Sequence, residues 1–249
     1  MNKKLLKFIL SILLILIYNN MCYSNEKNQL HIAVSSNFLS TIKIISKNFE
    51  KKNKCHVIIS SDSTANLFTK ISNGAPFDIF ISADAKHPKL LEKENNKSLI
   101  YAYGKLAIWK KNNFKKNTLI KLKKIKYLGL ANPKLSPYGK ASQITYNNIN
   151  IKNNKFIIGT NINQTFYFIH SENNDIGIVA LSQLIHNKTE KNQIWKIPKY
   201  LYPKIEQRII LLNNEKKNIL KIKFIHYIQQ TYTKNIIKKY GYKIINTND

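Results

Sequence analysis

The sequence is short of cysteine, of arginine and of acidic residues, and each shortage excludes something. Two cysteines occur in 249 residues, and Cys22 falls in what reads as a cleaved leader. Cys55 then stands alone, so an intramolecular disulfide is excluded even in an oxidising compartment and stability has to come from packing. It lies in a strand pattern, Cys55-His56-Val57-Ile58-Ile59, where a buried inert thiol is the ordinary role. Arginine occurs once, at Arg208. Nucleic-acid readers lean on the arginine fork, whereas the lysines here are spread over almost every segment in small groups such as Lys51-Lys52, Lys115-Lys116, Lys123-Lys124 and Lys216-Lys217. The joint abundance of Lys, Asn and Ile reads as compositional drift rather than as a binding stripe. Still, 41 Lys+Arg against 13 Asp+Glu, a net charge of +28, sets up a field that draws anions of any kind.

Catalytic signatures are also missing. Six histidines are scattered along the chain, and none stands in G-x-S-x-G, H-E-x-x-H or a P-loop pattern. No close His/Cys/Asp/Glu group has metal-ligand spacing. No segment repeats at a solenoid period, and no low-complexity tract stands out beyond the Lys/Asn/Ile bias.

What is present begins with a leader. Lys3, Lys4 and Lys7 precede an apolar run from Phe8 to Tyr18, and Cys22-Tyr23-Ser24 supplies small residues for cleavage after Ser24. The run is too short for the roughly 20 residues of a membrane span, and Asn19-Asn20-Met21 is a poor lead-in to a lipidated Cys22. The mature chain is expected to be exported to the periplasm, and its length suits one large domain or two modest ones.

The organising stretch is Ser60 to Asp84, SSDSTANLFTKISNGAPFDIFISAD. It passes from a strand through hydroxyl-bearing residues into a short helix with Leu67, Phe68 and Ile71 on its apolar side, stops at Gly74 and returns to a strand. A helix start leaves backbone N–H groups without partners at the positive end of the helix dipole, which suits it to oxyanions. Taken alone, such a string is a plain N-cap. A second turn of the same kind, Ser35-Ser36-Asn37, lies between a strand ending at Val34 and a helix over Phe38–Phe49. Strands at Gln29–Val34, His56–Ser60 and Asp78–Ser82 alternate with these helices, predicting a parallel βαβαβ sheet with its ligand turns at the carboxyl edge.

Asp84 caps a predicted helix from Ala85 to about Glu94, which accommodates Pro88 in its first turn. Leu99–Lys110 reads as one long strand pattern crossing between lobes. A second alternating set follows: strand Tyr127–Ala131, a Pro/Gly-punctuated loop into a helix from about Lys140 to Asn147, strand Lys155–Ile158, helix Ile162–His170 and strand Ile176–Ala180. A returning strand Glu206–Leu212 and helices over about Lys217–Thr231 and Thr233–Tyr240 close the chain.

The turns Ser35-Ser36-Asn37-Phe38 and Ser63-Thr64 open the match to a known family. It continues through Asn73-Gly74-Ala75-Pro76-Phe77-Asp78, Ile81-Ser82-Ala83-Asp84, Gly104-Lys105-Leu106 and Ala131-Asn132-Pro133-Lys134-Leu135, then Asn161-Ile162-Asn163-Gln164-Thr165 and Gly177-Ile178-Val179-Ala180-Leu181-Ser182. In this order and spacing the chain resembles the periplasmic molybdate-binding proteins of ABC importers. The resemblance implies an α/β, two-lobed solute-binding fold, each lobe a mostly parallel sheet flanked by helices, with the ligand in the interlobe cleft. It divides the chain into a signal peptide (1–24), a first lobe (25–105), a second lobe (106–202) and a return to the first (203–249). It implies a monomer that passes molybdate or tungstate to a membrane permease, with no catalysis, no cofactor and no nucleic-acid partner. Molybdenum would be held only as the oxyanion, by Ser36, Asn37 and Thr64 from the first lobe and Tyr138 and the Ile162 N–H from the second. Thr64 stands where many relatives have serine, Asp62 brings a carboxylate close to the anion, and Ala180 stands where one branch has a binding tyrosine, a role the resemblance moves to Tyr138. A sulfate- or phosphate-type receptor on the same fold, or a secreted polycation acting on nucleic acid or membranes, are the competing readings.

Overall fold

The computed structural model describes residues 28–111, 127–149, 155–171, 176–212 and 219–245; the leader and its cleavage point lie outside them. Strand β1 (Gln29–Ser35) leads through a single 3-10 turn, Ser36–Phe38, into helix α1 (Leu39–Asn53). No side chain caps that turn or α1, so Ser36 and Asn37 are left for other work than the capping their position suggests. Strand β2 (His56–Asp62), α2 (Thr64–Ser72), β3 (Ile79–Ser82), α3 (Lys86–Leu90) and β4 (Leu99–Gly104) follow. The predicted helix after Asp84 is cut short. Leu91 N–H bonds Pro88 O, and Glu92 turns back to take the N–H and hydroxyl of Ser98, so the chain reverses instead of coiling on.

The predicted crossing strand is two strands in two sheets, β4 in the first and β5 (Leu106–Lys110) in the second. The second set runs β6 (Tyr127–Ala131), α4 (Pro137–Asn148), β7 (Lys155–Gly159), α5 (Ile162–His170), β8 (Ile176–Ala180), α6 (Leu181–His186) and β9 (Ile194–Lys196). Then β10 (Ile205–Leu211) returns to the first sheet and α7 (Ile219–Gln229) and α8 (Thr231–Lys239) follow. Helix α4 starts earlier than its pattern suggests because Pro137 occupies the first helical position, where its missing N–H costs nothing, with Ser136 as the cap.

The first sheet has the order β2-β1-β3-β10-β4 and the second β7-β6-β8-β5-β9. β1, β2 and β3 are parallel, and so are β6, β7 and β8; β10 and β4 in one sheet, and β5 and β9 in the other, run antiparallel to their neighbours. Helices on both faces explain why the central strands are apolar on both sides. In β1, Leu30, Ile32 and Val34 enter one core with Phe38, Phe49 and Phe224, while Ala33 meets Leu67 and Phe80 on the other face. In the second sheet Ile176, Ile178 and Ala180 face Leu106, Ile108 and Tyr138, and Val179 packs with Trp109 and Phe166. Each of the Val, Leu, Ile and Phe side chains among these contributes about 1.5–3 kcal/mol by leaving water. Cys55 precedes β2 and is half-buried against the first core. Burial pushes its thiol pKa up, Glu50 adds to this and Lys223 opposes it, which disfavours the reactive thiolate.

Candidate anion-binding site

The carboxyl ends of β1, β2 and β6 and the starts of α2, α4 and α5 meet between the two sheets. Ala65 N–H, in the first turn of α2, donates to Leu135 O in the loop before α4 at 3.2 Å, and α5 begins against the Ser36–Phe38 turn. This joins the lobes over the predicted site.

Local chemistry sets which donors remain free. At α2, the Ser63 hydroxyl caps Asn66 N–H and Ser63 N–H is taken by Asp62 Oδ1, so Thr64 N–H, among the described residues, has no protein acceptor. At α5, Asn161 Oδ1 takes the N–H groups of Asn163 and Gln164 and passes over Ile162 N–H. At α4, Ser136 Oγ takes Gly139 N–H and Tyr138 N–H is left in the same way. Gly139 is required there, because a Cβ would press on the carbonyl oxygens of Ala131 and Asn132. Three helix starts therefore present backbone donors of the kind that binds oxyanions.

Side chains complete the first-lobe wall. Ser35 Oγ and Thr64 Oγ1 lie 2.6 Å apart, and Ala83 N–H donates to them at 3.1 and 3.4 Å. One hydroxyl proton is used between the pair and the other remains to donate outward. Ser35 was read only as part of its turn and not as a site residue; its place at the end of β1, in register with Asp62, is what sets it beside Thr64. The Ser36 hydroxyl, 6 % exposed, makes no hydrogen bond among the described residues.

Asn37 goes elsewhere. Its Nδ2 donates to Gln207 Oε1 at 2.8 Å and Tyr242 Oη at 3.1 Å, with Tyr138 Oη at 3.4 Å. Its carbonyl oxygen accepts from Tyr242 Oη at 2.8 Å and Ser182 Oγ at 3.2 Å. This is a buried polar knot between lobes; nothing in the linear sequence indicated Gln207 or Tyr242, and Ser182 stood out only as the end of a matched segment. The Tyr138 ring, 1 % exposed, runs toward the crossing, where a Cβ on Gly104 would coincide with its hydroxyl. Burial and the neighbouring tyrosines push the Tyr138 phenol pKa well up, with the Asn37 bond opposing them, so it stays protonated. Ala180 N–H donates to Gln183 Oε1, whose Nε2 braces Ile162 O and Asn163 Oδ1. The α5 start is thereby fixed to the β8 end without a tyrosine.

Asp62 is turned away and neutralised. Oδ1 accepts from Ser63 N–H and Asn66 Nδ2, and Oδ2 pairs with Lys70 Nζ at 3.1 Å. Burial raises its pKa, but the bonds from Ser63, Lys70 and Asn66 outweigh that and hold it below the usual value. Ser82 Oγ and the His87 ring both bond Asp84, and among the described residues no histidine ring is hydrogen-bonded to a serine hydroxyl as in a catalytic triad. No group of three or more metal-ligating side chains occurs among the described residues.

Residues 30–243 match the family described as bacterial extracellular solute-binding proteins. The chain belongs to that family. Among its relatives, the molybdate-binding protein ModA of Azotobacter vinelandii is 32% identical over 225 residues, covering 86% of this chain and 89% of that one. ModA of Rhodobacter capsulatus is 30% identical over 220 residues, 84% and 86% of the two chains. The structure of the Azotobacter vinelandii periplasmic molybdate-binding protein superposes with a TM-score of 0.80 at 24% identity, over 87% of this chain and all of that one. The family member described here thus has a two-lobed α/β fold, and the relatives named above are molybdate-binding proteins.

Proposed function

We propose that this protein captures molybdate, or tungstate, outside the cytoplasm and delivers it to the membrane permease of an ABC importer. The observation that carries the reading is the convergence of three capped helix starts with free N–H groups, Thr64, Tyr138 and Ile162, beside the Ser36 and Thr64 hydroxyls, between two lobes. Neutral donors at fixed places test an oxyanion's size and shape, which a lysine would not. Hydrogen bonds to a charged group are worth roughly 1.5–3 kcal/mol each, so a handful can offset desolvation and lobe ordering. The names of the relatives support molybdate over sulfate or phosphate. In this reading the binding set is Ser36, Thr64, Tyr138 through its backbone and Ile162. Asn37 holds the lobes together rather than the ion, the protein catalyses nothing and binds no nucleic acid, and the exported monomer begins after Ser24.

Calorimetric titration of the leader-free protein with molybdate, tungstate, sulfate and phosphate tests this. Molybdate at a hundredfold excess over Kd adds about 2.7 kcal/mol to stability, readable as a thermal shift. Sulfate is expected to act far less, because a smaller oxyanion does not span donors from both lobes. A melting curve unmoved by millimolar molybdate and tungstate removes the reading; sulfate or phosphate binding more tightly replaces it.

A further inference from the structure

A cavity of about 290 Å³ opens at the crossings between the lobes, and none of the proposed oxyanion donors lines it. Its walls come from both crossings and the C-terminal segment: Tyr103 and Lys105 on the way out, Tyr202 and Lys204 on the way back, Lys199 from the second lobe and Lys243 beyond α8. No lining residue is acidic. The walls are built rather than loose. Tyr103 and Lys243 exchange both backbone hydrogen bonds, at 2.7 and 2.9 Å, Tyr202 Oη accepts from Leu106 N–H at 3.3 Å, and Lys204 Nζ lies 6.0 Å over the Tyr103 ring.

We infer that this cavity is a second anion site, suited to a small polyvalent anion carrying two or more phosphate or carboxylate groups. Among the described residues, Lys105, Lys199 and Lys204 form no ion pair, although they share one recess with Lys243. Lys199, Lys204 and Lys243 are exposed and Lys105 is half-buried, and like charges gathered around one recess focus a positive potential that a counter-anion relieves. The strain registers on Lys105: burial, then Lys199 and Lys196, lower its ammonium pKa. Two tyrosine rings give the recess an apolar side, and its volume is close to the lower end for small-ligand pockets, roughly 300 Å³. A linked pair of anionic groups offsets more of these four charges than a single tetrahedral anion does, which favours it here. Because the walls span both crossings, an occupant also bears on lobe closure, and by linkage the two sites then affect each other's affinity.

The test titrates inorganic pyrophosphate into the leader-free protein, with and without excess molybdate. Parent is compared with Lys199→Gln/Lys204→Gln and with Lys43→Gln/Lys47→Gln, an equal charge change on the exposed side of α1. One saturable site is expected, weakened about tenfold or more by the first pair and less than about twofold by the second, as bonds to a charged ligand predict. Orthophosphate is expected to bind at least about tenfold more weakly than pyrophosphate. Equal losses in both pairs, or binding that never saturates, would mean non-specific screening by a basic protein and overturn the assignment. The lysine comparison is read in either buffer, so a protein that ignored molybdate would leave this result standing on its own.

Discussion

The Tyr242 hydroxyl donates to the Asn37 carbonyl oxygen at 2.8 Å, across 205 residues of sequence. The same hydroxyl accepts from the Asn37 amide at 3.1 Å, so one tyrosine near the C-terminus satisfies both ends of one asparagine beside the cleft. Ser182, from the second lobe, meets the pair at 3.1 Å. Tyr242→Phe keeps the ring and strands these buried groups, at an expected cost of about 1–3 kcal/mol. Melting should fall by a corresponding amount, and molybdate affinity with it; a variant as stable as the parent would show that the knot holds nothing together.

Ser36→Ala and Thr64→Val are expected to weaken molybdate binding by roughly 1.5–3 kcal/mol each, but to differ in stability. Thr64 Oγ1 is bonded to Ser35 and Ala83 N–H, so its loss also lowers the melting temperature. The Ser36 hydroxyl has no such partner, and its removal leaves melting of the ligand-free protein unchanged. Parent-like molybdate titrations for either variant would make its hydroxyl an ordinary part of a turn.

Tyr138 and Gly104 form a steric pair. Gly104→Ala places a methyl group where the Tyr138 hydroxyl lies, so closing the lobes requires the ring to move. A loss of about tenfold or more in molybdate affinity is expected. Tyr138→Phe alone removes only a 3.4 Å contact from Asn37 and is expected to change affinity by no more than about threefold; a larger loss puts the phenol itself on the anion. The double variant should recover part of the Gly104→Ala loss, a coupling that titration of all four proteins measures.

Asp62 gives a pH signature. Its folded pKa is held down, so its contribution is present above the unfolded value, about 3.9, and is lost as pH falls through the folded one. Asp62→Asn should therefore melt below the parent near neutral pH, with the gap narrowing steadily below about pH 4. A gap independent of pH would mean that the Lys70 pair and the Ser63 bond contribute nothing through charge.

Much of this site was legible as local pattern. The hydroxyls at Ser63 and Thr64, the bounds of α5 at Ile162–His170 and of β8 at Ile176–Ala180 follow from capping residues and apolar period, which neighbours in sequence decide. Asn37 shows where such reading ends. Its position says helix start, yet its side chain is claimed by Gln207, Tyr138 and Tyr242, and no periodicity reports a partner 170 or 205 residues away. The short helix α6 was missed for a related reason: six residues, Leu181–His186, are too few for a period to declare itself. Helix α3 was overextended because the bond that ends it, Glu92 to Ser98, depends on one side chain folding back.

The place of β10 in its sheet governs the order in which the protein can be completed. β10 lies between β3 and β4, so β4, made a hundred residues earlier, has no strand to lie against until Ile205–Leu211 arrives. Closing a connection of that length costs entropy before any contact rewards it. The first lobe therefore begins the chain and is finished by its end. A late keystone thus leaves the first sheet open along one edge until most of the chain is available to close it.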